Sequence, residues 1–254
     1  MPLIVNRLIK FLGVFVKAFS YIFHFIFPKM RFTIPTKSDA IFKSSKETVI
    51  PKIIWQTNYT NKVSLPVYLN YLLNRWMSPD FEYNCMNHDV RDAFLKENAP
   101  KEIFEAYSKL TDGAAQADLW RLFVLNFYGG VYMDIDGHSV WTLSGIIKPT
   151  DKEVFLMTKH NYSNYFIATA PNNKYLQKTM DIILTNIKEK NIEGGVYQLT
   201  GPSALNIGIG DANVNHRHNK ITCAQGSFTN EYFQYIDKPR GKWIHAKNEE
   251  LLKD

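Results

Sequence analysis

The most constraining part of the chain is residues 114–136, which combine a helix, its end and a strand. Residues 114–128 are helix-forming and almost entirely apolar, Gly129 and Gly130 follow, and a short apolar run then leads to Asp134 and Asp136. Glycine tolerates the left-handed backbone with which many helices end. The stretch therefore predicts a buried helix over 114–128 and a strand over 131–135.

The rest of the chain alternates between the same two kinds of element. Runs rich in β-branched and aromatic residues predict strands at 50–56, 81–86, 153–157, 166–170 and 221–224. Apolar spacings of three and four predict helices at 66–77, from 89, at 100–110 and at 173–190. This order predicts an α/β fold with a mostly parallel central sheet, in one domain over 49–254.

Residues 1–31 differ from the rest of the chain in charge. They contain basic residues but no acid, which leaves 25 basic and 24 acidic residues in the remainder, although the whole chain carries +6. A nearly neutral body does not predict nucleic acid as a partner. Basic side chains within an apolar segment instead predict contact with an anionic membrane surface through residues 3–31.

The N-terminal segment predicts an amphipathic helix that ends at Pro28, followed by a polar linker over 32–48. At 100° per residue its polar positions share one side; they are Asn6, Arg7, Lys10, Gly13, Lys17, Ser20 and His24. We expect the helix to lie in the membrane interface, with Lys29 and Arg31 beside lipid head groups. The alternatives are a transmembrane anchor, a cleaved signal peptide, or a helix that docks on its own domain or on a partner.

Asp134 and Asp136 are the first candidates for chemistry. Side chains two residues apart in a strand share a face, and ligands of open α/β sheets bind beyond the carboxyl ends of the strands. Carboxylate oxygens in such a pair suit Mg²⁺ or Mn²⁺. Because a D-x-D triplet is common by chance, the prediction depends on this position; the alternative is a solvated turn.

Asp118 and Arg121 are the second pair of candidates. They lie three residues apart on the predicted helix and so share a face. The helix is apolar nearly all round, and charges on a buried helix are seldom retained without a partner or a function. We therefore expect this pair in the same site; an ordinary surface ion pair is the alternative.

These motifs resemble those of the DXD-containing sugar-transferase family. The family includes fungal initiating mannosyltransferases, bacterial capsule and lipopolysaccharide glycosyltransferases and, more distantly, the clostridial glucosylating toxins. Residues 117–136 match its A-D-x-x-R-x-x-x-L-x-x-x-G-G-x-Y-x-D-x-D pattern, and residues 50–57 are similar to its opening I-P-K-I-I-H-Q-I-W. Residues 199–202 resemble its T-G-P element. Residues 236–243 resemble its H-H-x-x-x-S-W, with Asp237 in place of a His and Lys242 in place of a Ser.

The resemblance implies a GT-A type nucleotide-sugar-binding fold, a nucleotide-sugar donor, Mn²⁺ or Mg²⁺, and retention of anomeric configuration. By the resemblance, Asp136 binds the metal, and Asp134 contacts the ribose and sugar or shares the metal. Asp118 and Arg121 grip hydroxyls of the donor sugar.

The two ends of the resemblance supply further candidates. Near the start, Trp55 or Tyr59 would stack on the nucleobase and groups of Gln56, Thr57 and Asn58 would read its edge; Trp55 in the core is the alternative.

Near the C-terminus, Asp237 is the expected third metal ligand, and His245 is its rival. Trp243, with Arg240 and Lys242, is expected in a loop that covers the diphosphate.

The sequence therefore predicts a glycosyltransferase of the hexosyl- or N-acetylhexosaminyltransferase class. The expected acceptor is a glycan or lipid-linked saccharide of bacterial surface polysaccharide synthesis, such as capsule or lipopolysaccharide. A glycosylation sequon at Asn58 would lie in the donor site, which favours the cytoplasmic face of the bacterial inner membrane over a Golgi-type single-anchor protein. The alternative functions are a metal-dependent phosphohydrolase, with His138 as the base, and a non-catalytic glycan-binding relative.

Overall fold

The computed structural model describes residues 1–253 and contains a seven-stranded mixed sheet between two layers of helices. The strands are β1 Phe32–Thr33, β2 Lys37–Ser38, β3 Ile53–Thr57, β4 Lys62–Val63, β5 Glu82–Met86, β6 Gly130–Met133, β7 Gly137–Ser139, β8 Glu153–Thr158, β9 Asn161–Thr169, β10 His216–His218 and β11 Cys223–Gln225.

The helices match most of the predicted ones and add several short helices in the second half. They are α1 Pro2–Ile26, α2 Leu65–Met77, α3 His88–Asn98, α4 Lys101–Lys109, α5 Gly113–Tyr128, α6 Leu143–Ile146, α7 Lys174–Lys188, α8 Gly195–Leu199, α9 Pro202–Ile209, α10 Asn219–Thr222 and α11 Glu231–Gln234, with 3-10 turns at Trp243–His245 and Asn248–Glu250.

The strand order of the large sheet is β10-β8-β9-β6-β3-β5-β2. Strands β9 and β2 run antiparallel to their neighbours, and the other five point the same way. The predicted mostly parallel α/β sheet is therefore confirmed. The predicted linker differs, because β2 within residues 32–48 forms the edge of this sheet and β1 pairs with β4.

Side chains alternate across β6 and divide the core in two. Val131 and Met133 lie in one apolar cluster with β5 and α2, whereas Tyr132 lies in the other with α5 and α7. Helix α5 starts at Asp112, whose carboxylate accepts hydrogen bonds from two backbone N–H groups of the first turn. It ends at Gly129, whose φ of 69° is the left-handed backbone that the glycine pair predicts.

Strand β6 ends earlier than predicted, at Met133. Asp134 and Asp136 therefore lie in the turn that follows, which is closed by a 2.9 Å hydrogen bond from Gly137 N to Asp134 O. The two aspartates are therefore brought together by this turn, and not by lying on the same face of a strand.

Strand β9 contains a large bulge. Phe155 of β8 pairs with Ile167, but the next residue, Leu156, pairs with Ser163, so residues 164–166 have no partner on β8. Bulges re-aim side chains and occur frequently next to active sites. Here the bulge displaces Asn164 from the ladder at the end of the sheet where Asp134 lies.

Helix α1 lies against the body along most of its polar side, and Arg7 and Lys10 of that side remain exposed. Asn6 donates to Lys220 O at 2.7 Å, Lys17 donates to Gly226 O at 3.3 Å, and His24 Nε2 accepts from Leu65 N at 3.1 Å. A Cβ on Gly13 would lie 2.1 Å from the carbonyl oxygen of Ser227, so only glycine permits this close approach. On this side, α1 docks on its own domain, which was one of the alternatives for the N-terminal segment.

The opposite side of α1 is apolar and exposed. Its exposed large side chains are Leu3, Ile4, Leu8, Phe11, Leu12, Val14, Phe15, Phe19, Ile22, Phe25 and Ile26. By length and composition α1 is the one helix of residues 1–253 that is able to cross a membrane. A continuous apolar surface of this extent is unusual for a monomeric soluble protein.

Candidate functional site

A cavity of about 640 Å³ lies at the carboxyl ends of β3 and β6. Side chains of α5, β9 and the segment 234–243 complete its wall. This is the place where open α/β sheets bind ligands, and the volume is that of an ordinary small-molecule site.

The charged residues predicted from α5 and the D-x-D turn meet in this cavity. Arg121 Nη2 lies 2.9 Å from Asp118 Oδ1, and Arg121 Nη1 lies 3.2 Å from Asp134 Oδ1. Tyr132 places its ring 4.2 Å from the guanidinium carbon and donates its hydroxyl to Asp134 Oδ1 at 2.6 Å. Asp118 and Arg121 are each only 5% exposed, so the surface ion-pair alternative does not hold.

Two residues for which the sequence predicted no role donate hydrogen bonds to Asp118. Asn164, in the β9 bulge, donates to Asp118 Oδ1 at 2.9 Å, and its carbonyl accepts from Arg121 at 2.7 Å. Thr200, in the T-G-P element, donates to Asp118 Oδ2 at 2.9 Å. Burial raises the pKa of Asp118 to about 7, although the Arg121 charge acts in the opposite direction.

Gln225 joins the two carboxylates of the D-x-D turn. Its amide nitrogen donates to Asp134 Oδ2 at 2.8 Å and to Asp136 Oδ1 at 3.2 Å. Enclosure in the cavity and the Asp134 charge raise the pKa of Asp136 to about 7. A single donor thus lies between two carboxylates that repel each other, which is a position where a cation would be stabilised.

The donor set fits Mg²⁺ or Mn²⁺ only with ligands from a bound substrate. Among residues 1–253 no group of three or more His, Cys, Asp or Glu is placed to hold a metal. Mg²⁺ is commonly held by one or two carboxylates together with substrate phosphates and waters. Asp134 and Asp136 supply that kind of incomplete site.

The structure corrects the predicted third metal ligand. Asp237 forms two 2.6 Å hydrogen bonds with Arg31, the residue after α1 that we expected beside lipid. His245, the rival candidate, lies 2.6 Å from Glu231. Both side chains are already engaged away from the D-x-D turn, so neither is retained as a ligand.

The predicted nucleobase contacts are divided between the core and the cavity. Trp55 is buried, donates to Gly129 O at 2.8 Å and packs against Trp120, so the core alternative is the correct one. Gln56 is fully buried beneath the site and donates to Asp134 O at 3.0 Å. Neither residue lines the cavity, because Thr57 is the first residue of β3 to reach it.

The remaining predicted donor contacts do line the cavity. Thr57 and Asn58 are at one end, and Trp243, which is 40% exposed, belongs to the C-terminal segment that borders it. Arg91 lines the same end and was missed because no motif contains it. It is buried and makes no ion pair within residues 1–253; its donors reach Thr57 Oγ1 at 3.2 Å and Gln116 Oε1 at 3.0 Å.

His138 does not fit the role of a hydrolytic base. It is fully buried, its Nε2 lies 2.8 Å from Ser227 Oγ, and it does not line the cavity. Burial lowers its pKa to about 4. His138 is therefore not the base that the phosphohydrolase alternative requires beside Asp134 and Asp136.

The sequence of the site region matches a known family model. Residues 66–157 match the model of the family described as "Glycosyltransferase sugar-binding region containing DXD motif". The match contains Asp118, Arg121, Asp134 and Asp136. Residues 66–157 therefore match the sugar-binding region of the DXD-containing glycosyltransferases, and the predicted resemblance is confirmed over this region.

Two yeast proteins are similar to part of this chain. Mannosyl phosphorylinositol ceramide synthase CSH1 of Saccharomyces cerevisiae is 29% identical over 116 residues, which are 45% of this chain and 30% of that protein. Inositol phosphoceramide mannosyltransferase 2 of Schizosaccharomyces pombe is 34% identical over 115 residues, 41% of this chain and 30% of that protein. Each match thus spans less than a third of the yeast protein.

A viral relative and a solved structure cover more of the chain. Uncharacterized glycosyltransferase L373 of Acanthamoeba polyphaga mimivirus is 25% identical over 196 residues, 75% of this chain and 76% of that protein. The structure titled PaToxG Glycosyltransferase superposes with a TM-score of 0.51 at 20% identity, covering 63% of this chain and 69% of its own. At this identity the superposition concerns the fold, and it confirms the predicted fold class.

Proposed function

We propose that the protein is a metal-dependent glycosyltransferase that moves a sugar, with retention, from a nucleotide-sugar donor to a lipid-linked acceptor. The observation that carries the proposal is the continuous chain of contacts from Asp118 through Arg121 to Asp134, with Asp136 joined by Gln225, inside one cavity. Retention rests on the family resemblance alone.

The sugar and the nucleotide of the donor bind at opposite ends of the cavity. Asp118 and Arg121 hold hydroxyls of the donor sugar, because their polar atoms are already oriented by Asn164 and Thr200. Arg91 faces the nucleotide end as a buried cation without an acidic partner, which suits carbonyl or phosphate oxygens.

Asp134 and Asp136 are the proposed holders of Mn²⁺ or Mg²⁺. A bound cation supplies Lewis-acid stabilisation of the charge that develops on the diphosphate leaving group. The protein's own contribution is to fix both partners in place before that charge develops.

The names of the relatives suggest which donor sugar and which acceptor to test first. Both yeast relatives are named as enzymes of mannosyl transfer or synthesis on inositol phosphoceramide. We therefore take mannose as the first candidate sugar and an inositol-phosphate lipid as the first candidate acceptor. Bacterial capsule, lipopolysaccharide and the bacterial inner membrane receive no support from these names.

A thermal-shift experiment tests the donor and the metal together. The full chain is melted with GDP-mannose, UDP-glucose, UDP-galactose or UDP-N-acetylglucosamine, with and without MnCl₂. Ligand at 100 times its dissociation constant stabilises by about 2.7 kcal/mol, which raises the melting temperature of a chain of this size by about 5–10 °C. We expect such a rise for at least one donor with Mn²⁺ only. No rise for any donor refutes the proposal, and an equal rise in EDTA refutes its metal dependence.

We propose that α1 lies flat on the membrane. Its contacts with the body extend from Asn6 to His24, so a bilayer-spanning α1 would carry polar parts of the body into hydrocarbon. Lying in the interface, α1 places its exposed apolar side in lipid. Arg7, Lys10 and Lys29 remain exposed for anionic head groups.

Vesicle flotation checks this orientation. Phe11→Asp combined with Phe15→Asp removes two side chains that are 64% and 57% exposed, and should reduce binding to phosphatidylcholine–phosphatidylserine vesicles at least tenfold. The matched control is Ile207→Asp on α9, which is 57% exposed but is not on α1. Equal flotation of the double variant and the wild-type protein would contradict the proposal.

A further inference from the structure

A second cavity, of about 310 Å³, adjoins the first. It is lined by the turn between β8 and β9 at residues 159–161 and by neighbouring residues of β9 and α8. Ser163, Tyr197 and Pro202 line both cavities, so the two are neighbours. Its volume is at the lower end of ordinary ligand sites, which suits one small ring.

The second cavity begins at the sugar end of the first. Ser163 precedes Asn164, which donates to Asp118, and Pro202 lies two residues after Thr200, which also donates to Asp118. The residues at the nucleotide end, Thr57 and Arg91, do not line it. A molecule in the second cavity would therefore lie beside the donor sugar and away from the nucleotide.

Several hydrogen-bonding groups on this cavity are unused. The side chains of His160, Asn161, Ser163 and Tyr197 make no hydrogen bond within residues 1–253, and Tyr197 is 43% exposed. A tyrosine offers an apolar ring face with a polar hydroxyl. This combination suits a ring compound with C–H bonds on its face and hydroxyls around its edge.

We infer that the second cavity binds the polyhydroxylated ring of the acceptor, a sugar or a cyclitol. The inference rests on the proposed function, because an acceptor exists only if the first cavity holds a sugar donor. In the transfer, the bond from the anomeric carbon to the diphosphate oxygen breaks and the acceptor hydroxyl oxygen forms the new bond. The hydroxyl proton leaves with the nucleoside diphosphate.

The position of the cavity also suits a membrane-bound acceptor. His218 of β10 pairs with Met157, two residues before the turn that lines the cavity. Helix α10 follows β10 directly, and its Lys220 carbonyl accepts the hydrogen bond from Asn6 of α1. The cavity and the N-terminal part of the proposed membrane helix thus lie at the same end of β10.

Ligand-observed saturation-transfer NMR tests the inference on the full chain. The probes are methyl α-D-mannopyranoside and myo-inositol, each with GDP and MnCl₂ present. We expect saturation transfer to at least one probe in the wild-type protein and at least a fivefold weaker effect in the variant with His160→Ala and Asn161→Ala. Asn213→Ala, at an exposed residue before the opposite end of β10, should behave as the wild-type protein.

The donor melting experiment, run on the same samples, separates the two proposals. The double variant should keep the full nucleotide-sugar shift, because neither residue lines the first cavity. No saturation transfer in the wild-type protein, or undiminished transfer in the double variant, overturns the inference while the donor proposal stands. Probe binding by a protein that binds no nucleotide sugar overturns the acceptor assignment together with the proposed function.

Discussion

Asp136→Asn should lower metal-dependent turnover of the nucleotide sugar by about a thousandfold or more and leave the fold intact. The substitution keeps the shape of the side chain but removes one of the two carboxylates that Gln225 bridges. Lewis-acid stabilisation of a leaving group is worth several kcal/mol, and each 1.36 kcal/mol corresponds to a tenfold change in rate. Release of nucleoside diphosphate from the donor found in the melting screen measures the effect.

The stability of the same variant distinguishes lost metal binding from misfolding. Burial and the Asp134 charge raise the pKa of Asp136 to about 7, so in the metal-free protein at pH 8 both carboxylates are charged and repel each other. Asp136→Asn should therefore melt at or above the wild-type temperature in EDTA. Asp211→Asn, an exposed aspartate outside both cavities, is the control and should keep full activity. Activity of Asp136→Asn within tenfold of the wild-type protein would remove Asp136 from the proposed metal site.

The fold was predictable from the sequence wherever the pattern is local. The helix over 114–128, its glycine end and the following strand depend on neighbours a few residues apart, and the structure places them within one or two residues of the prediction. Short elements such as α8 and β10 were missed, because three to five residues carry too little periodicity.

The N-terminal helix shows what a hydrophobic pattern leaves open. The sequence distinguishes a polar side from an apolar side of α1, but it does not say which side meets the protein. Most of the polar positions are occupied by contacts with the body, such as Asn6 with Lys220 and Lys17 with Gly226. Amphipathicity therefore predicted the helix correctly and the surroundings of its polar side incorrectly.

The site was predictable where its residues lie on one continuous motif and not where they come from distant parts of the chain. Gln225 reaches Asp136 across 89 residues, and Asp237 meets Arg31 across 206. Asn164 enters through a bulge, which a strand pattern does not reveal. The motif thus predicted the charged residues that line the cavity, but not the neutral partners that orient them or the arginine that donates to Asp237.

Arg121→Met should destabilise the metal-free protein by about 3–5 kcal/mol at pH 8, because it leaves the buried Asp118 without its cation. Asp118 already has a folded-state pKa of about 7 against 3.8 when unfolded. A raised carboxyl pKa means that stability is highest below the unfolded value and is lost as the pH rises through the folded value. Removal of Arg121 raises this pKa further, so the loss should be smaller at pH 5.5 than at pH 8; urea unfolding in EDTA at both values measures it.

A double-mutant cycle decides whether the pair itself causes this loss. Adding Asp118→Asn to Arg121→Met removes the unpaired carboxylate, so the double variant should regain part of the stability and lose most of the pH dependence. The control is Lys101→Met, because the side chains of Lys101 and Glu105, which lie 3.6 Å apart, are 88% and 60% exposed; loss of an exposed pair should cost about 1 kcal/mol or less. Strict additivity of the two substitutions, or a loss independent of pH, would mean that Asp118 is not held as a charge by Arg121, and the proposed grip on the donor sugar would then need another cation.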